Sequence, residues 1–443
     1  MLGKLKADSQ QKLFQTRLSE LINAEHELVK LAQQIDWAKM ELELQNLYSS
    51  QGRPSIPLRK IVGLLVLKSI FNESDESVVD RWIENPYWQY LTGEEFFQHQ
   101  KPFDPSEFVH FRKRLKEKDL ELILSQTVAL HPQAKTEKEV QIDTSVQEKN
   151  ITFPTDAKLA KKVIDNCRKI ARKEGIPQRQ SYQRVAKQHL RDAYFGHHPR
   201  RQKKAIVATK KLRTIGKRVV RELENKLSHQ RRTHYQATFG IYYKALSQQR
   251  TSKEKIYSLH EPHTACIAKG KAGKAYEFGS KVAIIRGRNT GVITSIKRFS
   301  GNVHDSKTLD EALAQSQRVR QAIGGTRPQI ATTDRGFSGK IEVEGTQILR
   351  PGVKKEKTLY HQAKARNRFR ARAAIEPTIS HLKRNHCLGR NFLKGVAGDM
   401  ANALLAAIGY NLKLRLNQLK EEGLLWLQFF IRIFSHTIFQ STL

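Results

Sequence analysis

Cysteine is scarce in this chain, and acids are far outnumbered. The 443 residues hold three Cys, at 167, 266 and 387, with no paired spacing. That argues against a disulfide framework or a Cys-rich zinc site and for a reducing compartment. The start, MLGKLKADSQ, lacks the apolar stretch of a secretion signal. FSGKIEVEG (337–345) offers no phosphate-cradling loop with Lys and Ser/Thr, so an ATP-driven mechanism has no support. Long apolar runs are also missing. The most apolar stretch, LLWLQFFIRIFSHTIF (424–439), is interrupted by Gln428, Arg432 and His436 and is short for a membrane span. It reads as core or subunit contact, with an interfacial anchor as the other reading.

The shortage of acids is the mirror of what is abundant. Lys and Arg number 79 against 43 Asp and Glu, giving a formal net charge of +36. Such a charge repels itself unless a polyanion is near. Nucleic acid is the expected partner and an acidic membrane surface the weaker one. Apolar residues make up 39%, with 19 Phe and 4 Trp, enough for cores in two or three domains.

Residues 9–50 read as helical, and GRPSIP (52–57) breaks the chain. PLRKIVGLLVLKSIFN (57–72) is an apolar helix opened by Pro57, and 74–93 a capped second helix. FDPSEFVHFRKRL (103–115) has Asp104 as N-cap, Pro105 at the first helical position and Glu107 to complete a capping box. Its Arg112, Lys113 and Arg114 suit a helix-turn-helix-like DNA reader; a plain bundle with a solvated basic face is nearly as good a reading. Residues 1–130 are thus expected to form a helical domain.

EVQIDTS (139–145) alternates as a short strand ending at Asp143. Residues 166–255 then hold 25 Lys or Arg against 5 Asp or Glu. Apolar spacing, as in 207–227, and aromatics such as Tyr182, Tyr194, Phe195, Tyr242 and Tyr243 mark a folded basic helical insertion at 161–255 rather than a disordered tail. Strands resume at 276–285 and 291–301 around the turn RGRNTG, a helix opens in 301–315, and RPQIATTDRGFSG (327–339) is a strand with Asp334 at its exit. Helices are expected at 369–385, kinked or restarted at Pro377, which lacks a backbone donor, and at 395–416, with 417–443 as a hydrophobic tail.

Three acids stand out: Asp143 and Asp334 at strand exits, and Glu376 amid Arg and Lys. On one continuous helix Phe369, Arg372, Glu376, Ser380 and Lys383 share a stripe. A surface Arg–Glu ion pair would explain Glu376 alone. Three carboxylates amid Lys and Arg suit a pair of Mg²⁺ ions, with Mn²⁺ as substitute, serving phosphodiester displacement. HEPHTAC (260–266) spaces His260, His263 and Cys266 like ligands but lacks a fourth, so structural use is favoured. His304 and Asp305 can touch the site, or Asp305 can cap a helix.

Around these acids the chain resembles the bacterial insertion-sequence transposases of the DDE type, most closely the IS-five family of the IS-four-like superfamily. VQIDTSVQEKNITFPTD (140–156) is similar to that family's first-acid segment, and TTDRGFSG (332–339) to its second-acid turn. YEFGSKVAII and SGNVHDSKTL are similar to the strands and helix start between them. Arg372, Glu376 and Lys383 fit the third-acid signature, with Phe369 where Tyr is usual, so no hydroxyl role carries over. The resemblance covers 50–115 and 139–415.

It implies an α/β, RNase H-like catalytic core at 136–160 and 256–416, a mixed sheet flanked by helices, with the basic insertion between its first two strands. It also implies cleavage at terminal inverted repeats of double-stranded DNA and joining of 3′ ends to target DNA by a DNA-bound homodimer. No membrane or small-molecule substrate is involved, and the setting is the bacterial cytoplasm and nucleoid. Asp143, Asp334 and Glu376 would bind the metals, Asp143 bridging both. Arg372 and Lys383 would hold phosphate, with a salt-bridge role as the alternative for Lys383. A decayed, non-catalytic DNA-binding descendant and a nuclease without strand transfer are the competing readings.

Overall fold

The computed structural model describes residues 16–48, 51, 54–194, 196, 198–271, 274–352 and 358–440, with backbone only for 270–271 and 424–440. Helix expected before residue 16, Phe195, part of GRPSIP and the apolar side chains of 424–439 fall outside the described residues. The chain forms two compact units, 1–148 with 281–299 and 303–443, and 149–280 with 300–302.

In the first unit, the helix Leu58–Phe71 buries ten of its residues and is apolar on nearly every face, as a central helix must be. It ends at Asn72 in the left-handed region, φ 57°. The helix Gly395–Gln440 crosses it closely: a Cβ on Gly409 would lie 2.4 Å from the Ser69 carbonyl oxygen. Ser74 and Ser77 form a reciprocal capping box at the start of the helix Asp75–Glu84.

The helix Glu107–Arg114 begins later than expected. The Asp104 side chain accepts from the Ser106 N–H, two residues on, so 104–106 close an Asx turn and the helix starts beyond it. Arg112 is not presented to solvent. Its guanidinium grips both oxygens of Asp75 at 2.8 and 2.6 Å, and Lys68 adds a third bond at 2.5 Å. Burial raises the Asp75 pKa, but Arg112 and Lys68 outweigh it and hold the carboxyl below its ordinary value. Arg112→Ala would leave Asp75 with Lys68 alone. We expect a loss of about 2 kcal/mol in urea unfolding at pH 7, less than for a fully orphaned buried pair. The loss shrinks as pH falls below the unfolded carboxyl pKa, because protonated Asp75 no longer draws on either cation.

Among the described residues eight strands follow: β1 Glu139–Lys149, β2 Ala265–Lys271, β3 Lys274–Gly287, β4 Ile293–Phe299, β5 Ile330–Thr332, β6 Glu342–Val343, β7 Thr346–Leu349 and β8 Arg390–Asn391. The first unit's sheet is mixed, in the order β4-β3-β1-β5-β7-β6, with β8 on β1. β1, β5 and β7 run parallel; β3–β4 and β6–β7 are antiparallel. Alternation along β3 shows that both faces are covered. Ala283 and Ile285 pack with Val140, Ile142, Leu309 and Phe337, while Val282 and Ile284 join the cluster that holds the N-terminal helices.

Several boundaries differ from expectation. β1 continues to Lys149, so Asp143 sits within the strand rather than at its end. The helix of 301–315 starts as a 3₁₀ turn, Asp305–Thr308, before Leu309–Gln321. The segment 369–385 breaks just ahead of the kink expected at Pro377, into Leu359–Arg372 and Ile375–Asn385. Pro377 explains the break: in an unbroken helix its ring would clash with the carbonyl four residues earlier, at Ala373. The last helix runs through residue 417 to Gln440, because nothing between Leu416 and Glu422 stops it. No described helix is long and apolar enough to cross a membrane.

The second unit holds the helices Asp156–Lys173, Gln183–Tyr194, Gln202–Lys226 and His229–Ser247 around Val163, Cys167, Leu212, Leu223, Phe239 and Tyr242. Burial pushes the Cys167 thiol up to about 12, so it serves as a small apolar group. β2, which the sequence pattern did not suggest, pairs antiparallel with the first half of β3.

Candidate active site

The parallel pairing of β1 and β5 aligns Gln141 with Thr332. Two residues beyond that pair come Asp143, still within β1, and Asp334, just past the end of β5; the charge of Asp334 acts on Asp143, so the register brings the two acids near each other. The strain of this placement shows in Asp143, whose carboxyl is pushed up to about 6. Burial is the largest cause, and the charges of Asp334 and Asp305 add to it; the Thr144 N–H, at 2.7 Å, and Arg372 oppose it.

A glycine leaves room for the carboxylates in the second-acid turn. Gly336 donates its N–H to Asp334 Oδ1 at 2.9 Å, and a Cβ there would stand 3.1 Å from both Asp334 Oδ1 and Asp305 Oδ2. Asp305 is therefore part of the acidic group and not a cap. His304 caps the 3₁₀ turn, accepting from the Ser306 N–H. Asp305 Oδ1 accepts from Thr144 Oγ1 and from Lys281 Nζ, both at 2.9 Å. Lys281 is 8% exposed and also donates to the Val303 carbonyl at 2.6 Å. A lone Lys in the apolar run of β3 was the signal for it in the sequence.

Glu376 stands apart. It is 69% exposed on the first turn of its helix, where the dipole also favours an acid. Arg372 lies between it and the others, 3.5 Å from Asp143 Oδ2 and 3.9 Å from Glu376 Oε1. Both are ion pairs too long to be hydrogen bonds. Lys383 is half-buried two turns beyond Glu376 on the same helix. Among the described residues no three His, Cys, Asp or Glu side chains are gathered closely enough to hold a metal as they stand.

The helix break that carries Glu376 is tied to the sheet by side chains that sequence reasoning missed. Gln141 Nε2 donates to the Ala371 carbonyl at 2.7 Å. Buried Arg286 donates to the Ala374 carbonyl at 2.6 Å and to Thr378 Oγ1 at 2.7 Å. Arg368 grips Glu139 at 3.0 and 2.6 Å. Elsewhere, Arg114 lies over the Tyr48 ring at 5.3 Å, and Lys113 is exposed. His260 pairs with Ser258 Oγ at 2.9 Å and His263 with Glu261 at 3.5 Å.

Residues 16–114 match the family model described as "Transposase domain (DUF772)", and residues 247–412 match "Transposase DDE domain". A Rhizobium meliloti protein described as "Uncharacterized protein ORF8 in nfe locus" is 43% identical over 180 residues, 40% of this chain and 87% of that protein. No solved structure matches.

Proposed function

This chain belongs to the DDE transposases of insertion sequences, and from that premise we propose that it cuts DNA at the ends of its element and joins the 3′ ends to target DNA, using Asp143, Asp334 and Glu376. The observation that carries the reading is the β1/β5 register, which sets two carboxylates side by side with a guanidinium between them and a third. The order β4-β3-β1-β5-β7 supports an RNase H-like core, with Asp143 on its first strand, and with the helices of the second unit inserted between that strand and the next. The IS-five assignment within the superfamily belongs to the same reading, as do an N-terminal domain that contacts DNA through the exposed Lys113 and Arg114 and a DNA-bound homodimer.

The residues fit Mg²⁺. Asp143 and Asp334 are hard oxygen donors, and two carboxylates suffice for an ion that keeps several waters. Burial and the charges of Asp334 and Asp305 raise the Asp143 pKa, and Arg372 at 3.5 Å offsets them only in part. Asp143 and Asp334 would hold the first ion, and Glu376 would join them once its side chain turns inward. When bound, Mg²⁺ activates water and neutralises charge on the phosphate under attack. The chain's own part is positioning. Lys281 and Thr144 hold Asp305 in place beside the pair. Arg372, with a planar fork of donors held only at long range, is free to take a phosphate oxygen.

The test is incubation of the full chain with duplex DNA carrying the element's end and flank. Mg²⁺ or Mn²⁺ is expected to release a 3′-hydroxyl at the end, and EDTA to stop it; added target DNA is expected to become joined. Cutting without joining would reduce the protein to a nuclease. Metal-independent end binding with no cutting would make it a DNA-binding descendant.

A further inference from the structure

The second unit carries a regular feature that cleavage chemistry does not use. In QKKAIVATKKLRTIGKRVVR (202–221), basic pairs recur every seventh residue: Lys203–Lys204, Lys210–Lys211 and Lys217–Arg218, with Arg221 after them. All lie on the helix Gln202–Lys226. Seven residues are almost two turns, so the pairs stack along one face, about 10 Å apart and about 27 Å from first to last residue. The opposite face, with Ala205, Ala208, Leu212, Gly216, Val219 and Leu223, is buried. On the outer face only Lys217 is half-buried; Val207 and Thr214, between the pairs, are exposed.

An ordinary solvated face would share its charge with nearby acids. Here the five acids of 166–255 are all engaged. Glu174 holds Arg231 and the Tyr235 hydroxyl, Asp192 holds Lys204, Glu222 holds Lys226, Glu224 accepts from the Tyr243 hydroxyl, and Glu254 holds Lys244. Among the described residues Lys203, Lys210, Lys211 and Lys217 have no ion-pair partner. A second copy of this chain pairing the same face with itself would set like charges against each other.

We infer that this face binds the phosphate backbone of duplex DNA without reading its sequence. Five of the seven basic residues are lysines, compact point charges at regular axial spacing, which suits a row of phosphates better than base edges. The choice of DNA over another polyanion rests on the transposase reading.

The experiment is equilibrium binding of the full-length chain to a random-sequence duplex without divalent metal, across a salt series. Removing three phosphate contacts lowers the slope of log K against log salt by roughly three. For K203Q/K210Q/K217Q the affinity lost between about 50 and about 200 mM salt is therefore about 40-fold smaller than for wild type. The control triple K161Q/K226Q/K244Q removes the same charge from lysines already paired with Asp165, Glu222 and Glu254, and is expected to leave the slope unchanged. Should the first triple melt early, K210Q/K211Q is expected to lower the slope by roughly two. Equal slopes for both triples, or no change in either, overturn the inference. So does an unchanged slope on DNA with loss of binding to phosphatidylserine vesicles, which assigns the face to a membrane surface. Because no cutting is measured, a wild type that fails to cleave leaves this result standing.

Discussion

Asp334→Asn is expected to lower Mg²⁺-dependent cleavage of element-end DNA by at least about 10³-fold, some 4 kcal/mol of barrier. Asn keeps the shape of the turn and can still accept from the Gly336 N–H, so the fold is spared. It removes the full negative charge beside Asp143, half of the site for the first ion. End binding measured without metal is expected to change less than about twofold, since phosphate contacts supply most of that affinity. Glu376→Gln is the more discriminating substitution. Glu376 is 69% exposed and reaches Arg372 only at 3.9 Å. If it cuts as fast as wild type, Glu376 is a surface partner of Arg372 and the third ligand lies elsewhere. Asp305 is then the first candidate, because its second oxygen and Asp334 Oδ1 flank the same missing Cβ of Gly336. Asp305→Asn under the same assay would decide it. Normal cutting by Asp334→Asn would remove the site altogether.

What the sequence disclosed of this site follows from how local each feature is. Alternation in EVQIDTS marks β1, and the strand exit at Asp334 reads directly, since both depend on neighbours in sequence. The register that joins them does not: it relates residues 139–141 to 330–332 across nearly 200 positions, and the pattern on either strand is silent about it. The helix stripe through Glu376 was legible and misleading. It assumes one helix, whereas Pro377, itself legible as a kink or helix start, clashes with the carbonyl of Ala373 and divides it. Arg112 misled in another way. A run of Arg and Lys at a helix end looks solvated until the partner 37 residues away, Asp75, is seen. The tethers Gln141, Arg286 and Arg368 escaped notice for the same reason, because their partners are backbone carbonyls or acids far along the chain.

Asp143→Asn is expected to raise the stability of the metal-free protein at pH 7.5 while abolishing cleavage. In the folded chain this carboxyl titrates at about 6, above its ordinary 3.8. Folding therefore favours its protonated form. That contribution is fully present below the unfolded pKa and is lost as pH rises through 6. At pH 7.5 the ionised group costs up to about 3 kcal/mol from a shift of roughly two units. That figure already includes the opposing charge of Arg372; with the side chain 18% exposed, solvent screening leaves about 1–2 kcal/mol. Asn keeps the acceptor for the Thr144 N–H and adds no charge. Thermal melts in EDTA at pH 7.5 should show the variant a few degrees above wild type, with the gap closing as pH falls from 6 towards 4. Mg²⁺ should close it from the other side, by stabilising wild type alone, because a cation bound to the native carboxylates draws folding forward. For the same reason metal-dependent cleavage should fall as pH drops below 6, where a proton competes for the ligand. A variant less stable than wild type at pH 7.5 in EDTA, or a gap that widens in acid, would show that Arg372 and the Thr144 N–H outweigh the burial and the acidic neighbours of Asp143.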